Sequence, residues 1–170
     1  MPKRLQQLLI VMAVIGIVVT LATLLLGREQ MLAALFGPIE LTKIDFKTLS
    51  LPARPNQYLV CPPNYCAATP HAKSPVYNLS VVDLKARWLA MLARQPHMQQ
   101  LSVSADGLQY DVIQRSAVIR FPDSITVRFV ALGATQSTLA IYSRSQYGYF
   151  DFGVNRKRVT SWIEALQAAS

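Results

Sequence analysis

Only nine of the 170 residues are acidic, and the chain holds just two histidines, two cysteines and seven glycines. Each shortage closes a class of function. His71 and His97 lie in or beside loops with no serine-containing catalytic motif nearby, so a nucleophile has no evident base. The few glycines build neither a phosphate-cradling loop nor a serine elbow. Cys61, Cys66 and His71 are the only metal-binding types close together, fewer than a closed structural site takes. No metal and no cofactor is therefore expected. Asp123 and Asp151 are the carboxylates worth pairing, but nothing in the sequence brings them together, so no residue is assigned as catalytic. Internal repeats and low-complexity tracts are also missing.

What the chain does have is an uncharged run from Leu8 to Leu26, interrupted only by Gly16, Thr20 and Thr23 among apolar residues. Roughly 20 helical residues reach about 30 Å, the thickness of a hydrocarbon core. Lys3 and Arg4 precede the run without an acidic residue, which places the N-terminus in the cytoplasm and the remainder across the membrane. A cleaved signal peptide with Thr20-Leu21-Ala22 at its end is the competing reading, although the run continues through Leu26. The organisation expected is a cytoplasmic N-terminus (1–7), a transmembrane helix (8–27), an interfacial connector (28–38) and an exported domain (39–170).

Net charge is +8, of which Lys3 and Arg4 carry two, leaving +6 on the rest. That balance suits an anionic lipid surface or an acidic protein partner, or simply a soluble basic surface. An exported location argues against nucleic acid.

Along the domain, Ile39/Leu41, Ile44/Phe46 and Leu49/Leu51 alternate in pairs, a strand pattern with phase breaks. Residues 52–79 hold six of the ten prolines and both cysteines and show no helix or strand period. A helix follows, capped by Ser80 with Asp83 three residues on, its stripe formed by Val81, Leu84, Trp88, Met91 and Leu92. Leu101, Val103 and Ala105 alternate up to Asp106-Gly107, a two-residue hairpin turn, beyond which Tyr110 and Val112 resume the pattern. The phase slips at Ile113, which signals a bulge or two strands joined near Ser116. Pro122-Asp123 reads as a turn, Ile125 to Ala131 and Leu139 to Ser143 as strands. A last helix buries Val159, Trp162, Ile163 and Leu166. Consecutive strands joined by short turns predict an α+β domain: an antiparallel sheet of about four to six strands with two helices on one face.

In "CPPNYC" the spacing of Cys61 and Cys66 outside the cytoplasm suits a structural disulfide closing a small loop. The spacing is not that of a redox Cys-x-x-Cys pair. Asn78-Leu79-Ser80 fits a glycosylation sequon, but Ser80 is explained by the helix cap.

The segment "SRSQYGYFDFGVNRKR" (143–158) is the strongest candidate site. Asn155 reads as the cap of the last helix, yet Arg156, Lys157 and Arg158 fill its first turn, against the helix dipole. Backbone N–H groups at the helix start, the hydroxyls of Ser143 and Ser145, and Arg156 and Arg158 converge on an anion in one reading, with Asp151 orienting an arginine. In the other, Arg158 pairs internally with Asp151 or Asp123. Helical spacing turns Arg158 toward the buried face, four residues before Trp162, and Arg156 and Lys157 outward.

Together with Arg115-Ser116 and "RFPD" (120–123), this segment resembles the bacterial and plastid family known as domain of unknown function 1499, over roughly residues 55–168. The family pattern Ser-x-Ser-Arg-x-Gly-x-x-Asp-x-Gly-x-Asn-x-x-Arg falls on Ser143, Ser145, Gly148, Asp151, Gly153, Asn155 and Arg158. Gln146 stands where the family usually has arginine, and Arg144, on a strand, points to the opposite face. The resemblance implies a fold and a polar cluster but no activity. On the bacterial side of it, the expected location is the inner membrane with a periplasmic domain. The role expected is non-catalytic, with Ser143, Ser145, Asp151, Asn155, Arg156 and Arg158 as ligand residues for an anion, a lipid headgroup or an acidic partner. The alternatives are an enzyme using Ser143 or Ser145 with Asp151, and a scaffold binding through the proline-rich loop and the face around Tyr147, Tyr149 and Phe150.

Overall fold

The computed structural model describes residues 2–168. The chain divides into two compact units, one ending at Ile39 and one starting at Glu40. In the first, helix α1 (Lys3–Leu26) is long and apolar enough to cross a membrane, a test that a signal sequence also passes. Its two hydroxyls turn back on the helix, Thr20 Oγ1 donating to Gly16 O (2.8 Å) and Thr23 Oγ1 to Val19 O (2.7 Å). Neither therefore presents an unpaired donor to an apolar surrounding. Gly27, at φ 79°, separates α1 from α2 (Arg28–Phe36), which lies within the expected connector.

The second unit is built on a six-stranded sheet. Its strands are β1 (Gln57–Cys61), β2 (Ala72–Lys73), β3 (Met98–Val103), β4 (Gln109–Arg115), β5 (Pro122–Ala131) and β6 (Ser137–Ser145), in the order β2-β1-β6-β5-β4-β3. All neighbours are antiparallel except β1 and β2, so the sheet is mixed rather than purely antiparallel. The parallel pair exists because the chain loops from β1 through the disulfide and returns to β1's outer edge in the same direction.

Helices α3 (Val81–Leu92) and α4 (Val154–Ala168) cover one face. Ser80 caps α3 by accepting the Asp83 N–H (3.2 Å), and Leu84, Trp88 and Leu92 are buried as their spacing predicts. Trp88 meets Tyr110, Phe129 and Trp162 at ring separations of 5.6 to 6.4 Å, joining α3, the sheet and α4. From the strands, Val112, Ile125, Val127, Leu139 and Ile141 point into the same cluster.

The other face carries a second cluster of Ile44, Phe46, Leu59, Cys61, Ala140 and Tyr142. Here four expectations change. Residues 39–51 are not a strand. Their alternation serves burial of Ile44 and Phe46 on a sheet face, and their carbonyls accept from the Gln109 side chain (2.9 Å) and the Ala67 N–H (2.9 Å). β1 lies inside the proline-rich segment that shows no period. Four of its five residues are buried, and a strand covered on both faces has no alternation to read. The β3–β4 turn is not a two-residue one: Ser104 N–H reaches Gln109 O (2.9 Å), and Gly107, at φ 67°, closes a Ser104–Gly107 turn. Pro122-Asp123 opens β5, while the reversal lies at 116–121, with Arg120 at φ 70°. Strands do join near Ser116, and the register slip falls in β3, between Gln100 and Ser102.

Candidate functional site

Strand register places the polar ends of three strands side by side under α4. Gln114 pairs with Asp123, Asp123 with Ser145, and Ile125 with Ser143. These positions share the helix-covered face, so the first turn of α4 lies over them.

Arg158 enters this cluster with a side chain only 9% exposed. Its Nε donates to Gln114 Oε1 (2.7 Å). One terminal nitrogen donates to Ser143 Oγ (3.0 Å) and Asn155 Oδ1 (2.7 Å), and the other to Asp123 Oδ2 (2.6 Å). Ser143, fully buried, donates in turn to Asn155 Oδ1 (2.6 Å). The Asn155 amide donates to Asn56 O (3.1 Å), Ser145 Oγ (3.1 Å) and Asp151 Oδ2 (2.9 Å). The result is a closed hydrogen-bonded clasp between α4, the ends of three strands and the approach to β1.

The structure thus brings together Ser143, Ser145, Asp151, Asn155 and Arg158 from the predicted set, and leaves Arg156 exposed with Lys157 on the other side of the helix. Asn155 is not the cap. Asp151 takes that part, its carboxylate accepting the N–H groups of Gly153 (3.0 Å) and Asn155 (2.8 Å), while its carbonyl accepts that of Val154 (3.1 Å). The helix dipole meets an internal anion, which removes the conflict posed by the cations in the first turn. Of the two internal partners considered for Arg158, Asp123 is the one it meets.

Asn56 and Gln114 belong to the clasp and were not singled out from the sequence. Asn56 sits in the aperiodic proline-rich stretch, where its Nδ2 also holds Gly148 O (2.7 Å). Gln114 had a readable signal, since it continues the inward alternation of Tyr110 and Val112.

Among the described residues, the buried Ser143 hydroxyl bonds Asn155 and Arg158 rather than a base. Asp151 bonds Asn155 rather than Ser143. His71 Nδ1 accepts the Leu59 N–H (3.0 Å) and its ring stacks on Tyr58, while the His97 carbonyl accepts the Arg115 N–H (3.1 Å). Cys61 and Cys66 are joined as a disulfide, their Cα atoms 6.2 Å apart. Among the described residues no three metal-ligating side chains gather.

The outward side of the same segment differs in character. Tyr149, Phe150, Phe152 and Val154 are 49 to 97% exposed, and Arg156 and Lys157 follow at the start of α4. Tyr147 instead packs edge-on against Phe121 at 6.2 Å, tying this loop to the 116–121 turn.

On the opposite sheet face, a cleft of about 410 Å³ opens between residues 40–44 and strands β3–β6. Leu41, Leu101 and Val103 contribute apolar wall. Asp111 lies within it, accepting hydroxyls from Thr126 (2.6 Å) and Ser102 (2.6 Å). Arg144 reaches Ser124 Oγ and Glu40 O, both at 3.3 Å, across the Tyr142 ring. Burial pushes the Tyr142 phenol pKa up, an effect Arg144 partly offsets. Gln146, at the position of the family arginine, donates to the same Ser124 (2.7 Å), so that position belongs to this face and not to the clasp.

The profile of the family described as "Protein of unknown function (DUF1499)" matches residues 50–166. The chain belongs to that family. The match takes in the whole sheet, α3, all but the last two residues of α4, and every residue of the clasp. No curated protein matches the chain.

Proposed function

We propose that this member of the DUF1499 family is a membrane-anchored, non-catalytic protein that binds an anionic partner through the outward side of residues 147–157. The single observation carrying this reading is the division of the family segment. Its inward polar groups are consumed by one another, whereas aromatic rings and two cations face solvent from the same loop. A serine with no base and an arginine tied to four side chains support binding over hydrolysis. In the arrangement we propose, α1 crosses a bacterial inner membrane once with Lys3 and Arg4 inside, and the domain lies in the periplasm.

The test is binding of fluorescent oligo-aspartate to wild-type protein and to Arg156→Glu/Lys157→Glu, with Lys85→Glu/Arg94→Glu as a surface-charge control. Loss of salt-sensitive binding in the first pair alone is the expected outcome. Equal binding by both pairs would remove this face from consideration.

A second reading rests on the cleft. Its volume suits a small molecule, and Asp111 and Arg144 supply opposite charges, so a small zwitterion fits its chemistry. A melting-temperature rise with amino acids or phosphoethanolamine, lost in Val103→Trp, would carry that reading. An unmoved melting temperature would drop it.

A further inference from the structure

We propose that the tips of the β4–β5 and β6–α4 loops form one amphipathic edge that enters the interface of an anionic bilayer, with Phe152 inserted deepest. This rests on the anionic-partner reading above and names the partner.

Phe152 is 97% exposed and adopts φ 53°, the left-handed region where glycine or asparagine is ordinary and a bulky aromatic is not. Both features work against the folded domain in water, and both become intelligible if the ring leaves water elsewhere. It is not alone. Phe150 is 64% exposed and Tyr149 54%, and on the neighbouring loop Val118 is 76% and Ile119 54% exposed. The two loops are held together by the Phe121–Tyr147 contact and by the Gln146 N–H to Pro122 O bond (3.0 Å).

The presentation is rigid. Asn56 fixes Gly148, the Asp151 carboxylate fixes Gly153 and Asn155, and Tyr149 and Phe150 pack edge to face at 4.8 Å. A preorganised edge loses little conformational freedom when it docks. Behind the rings, Arg156 and Lys157 stand exposed at the level of the first helical turn.

Apolar side chains at two loop tips with cations behind them match the layering of a membrane interface, where aromatics sit at headgroup depth and cations meet anionic phosphates. An acidic protein surface would satisfy the cations but give the projecting side chains of two separate loops no common depth to enter. The candidate span α1 also keeps a membrane within reach of the domain.

The experiment uses the full chain with Phe152→Trp, reconstituted in nanodiscs of pure phosphatidylcholine or of a phosphatidylglycerol mixture. Emission is read as the difference from the unaltered chain, whose Trp88 and Trp162 are buried. Difference emission from the introduced indole that is shifted to the blue, and quenched by brominated acyl chains, is expected in the anionic discs. Adding Arg156→Gln/Lys157→Gln should lower the inserted-to-free ratio roughly 30-fold and remove the quenching. Water-like emission from the introduced indole in both disc types overturns insertion. If oligo-aspartate binding survives in that case, the anionic partner is a protein and the broader reading stands. If it too is missing, both fall. Equal quenching in both disc types overturns the role of the two cations.

Discussion

Truncating Arg158 to alanine removes a side chain that bonds β4, β5, β6 and its own helix at once. The Asp123 side chain, 12% exposed, is left without its cation, and Asn155 and Gln114 each lose a charged donor. Removing one partner of a buried ion pair costs about 3–5 kcal/mol, mainly because the remaining charge stays desolvated. A domain of this size has about 5–15 kcal/mol in all, so a fifth or more of its stability is at stake. In melting temperature the same loss is a fall of roughly 10–20 °C. Urea denaturation of the Glu40–Ser170 unit, with circular dichroism as readout, measures it directly. Arg158→Lys keeps a charge near Asp123 but loses the planar fork, and should fall between wild type and alanine. Asp123→Ala combined with Arg158→Ala should recover part of the loss, since no buried charge is then stranded. A loss below about 1 kcal/mol for Arg158→Ala would refute the argument, because that is the range of a solvent-screened surface pair.

Reducing the Cys61–Cys66 bridge should lower stability by about 2 kcal/mol, the entropy of closing so short a loop, as read from urea curves with and without reductant. Burial raises the Tyr77 phenol pKa well above its ordinary value of about 10. The unfolded chain therefore ionises first, so stability is intact below about pH 10 and falls as pH rises beyond it. Tyr77→Phe should flatten that alkaline limb in denaturation midpoints compared at about pH 8 and pH 11, and an unchanged limb would rule Tyr77 out as its source. Phe152→Gly should raise domain stability by about 1 kcal/mol through relief of its left-handed backbone, even as membrane contact is lost. A destabilised Phe152→Gly protein would mean that the ring packs within the domain.

Strong periodicity made much of this fold legible. The α3 stripe and its Ser80 cap, the alternation of β5, and the inward face of α4 follow from spacings that a half-buried element has to show. β1 was illegible for the opposite reason: Tyr58 and Val60 pack toward the helices while Leu59 and Cys61 pack away from them, leaving no polar face to set a period. Residues 39–51 misled because burying one side of an extended segment needs the same alternation whether or not it joins a ladder. At the site, Arg158 was placed inward correctly by its distance from Trp162, and Asp123 was within view as its partner. The exchange of roles between Asp151 and Asn155 was not readable. Both residue types cap helices equally well, and only the turn at Phe152 and Gly153 moves the helix start past Asp151.

The clasp has a consequence for how sequences in this family can vary. Ser143, Ser145, Asp151, Asn155 and Arg158 are polar positions of the pattern this segment resembles, and each one bonds another of them. A change at any one strands its neighbours, so they are free to drift only in concert. The positions the pattern leaves open include Tyr149, Phe150, Phe152, Arg156 and Lys157, whose backbone the clasp holds but whose side chains face outward from it. In this chain the pattern residues thus record how the segment folds, and on the reading proposed above its contacts are written in the residues between them. On that reading, two proteins with the same pattern and different residues at 149, 150, 152, 156 and 157 would share an architecture and part ways in their contacts.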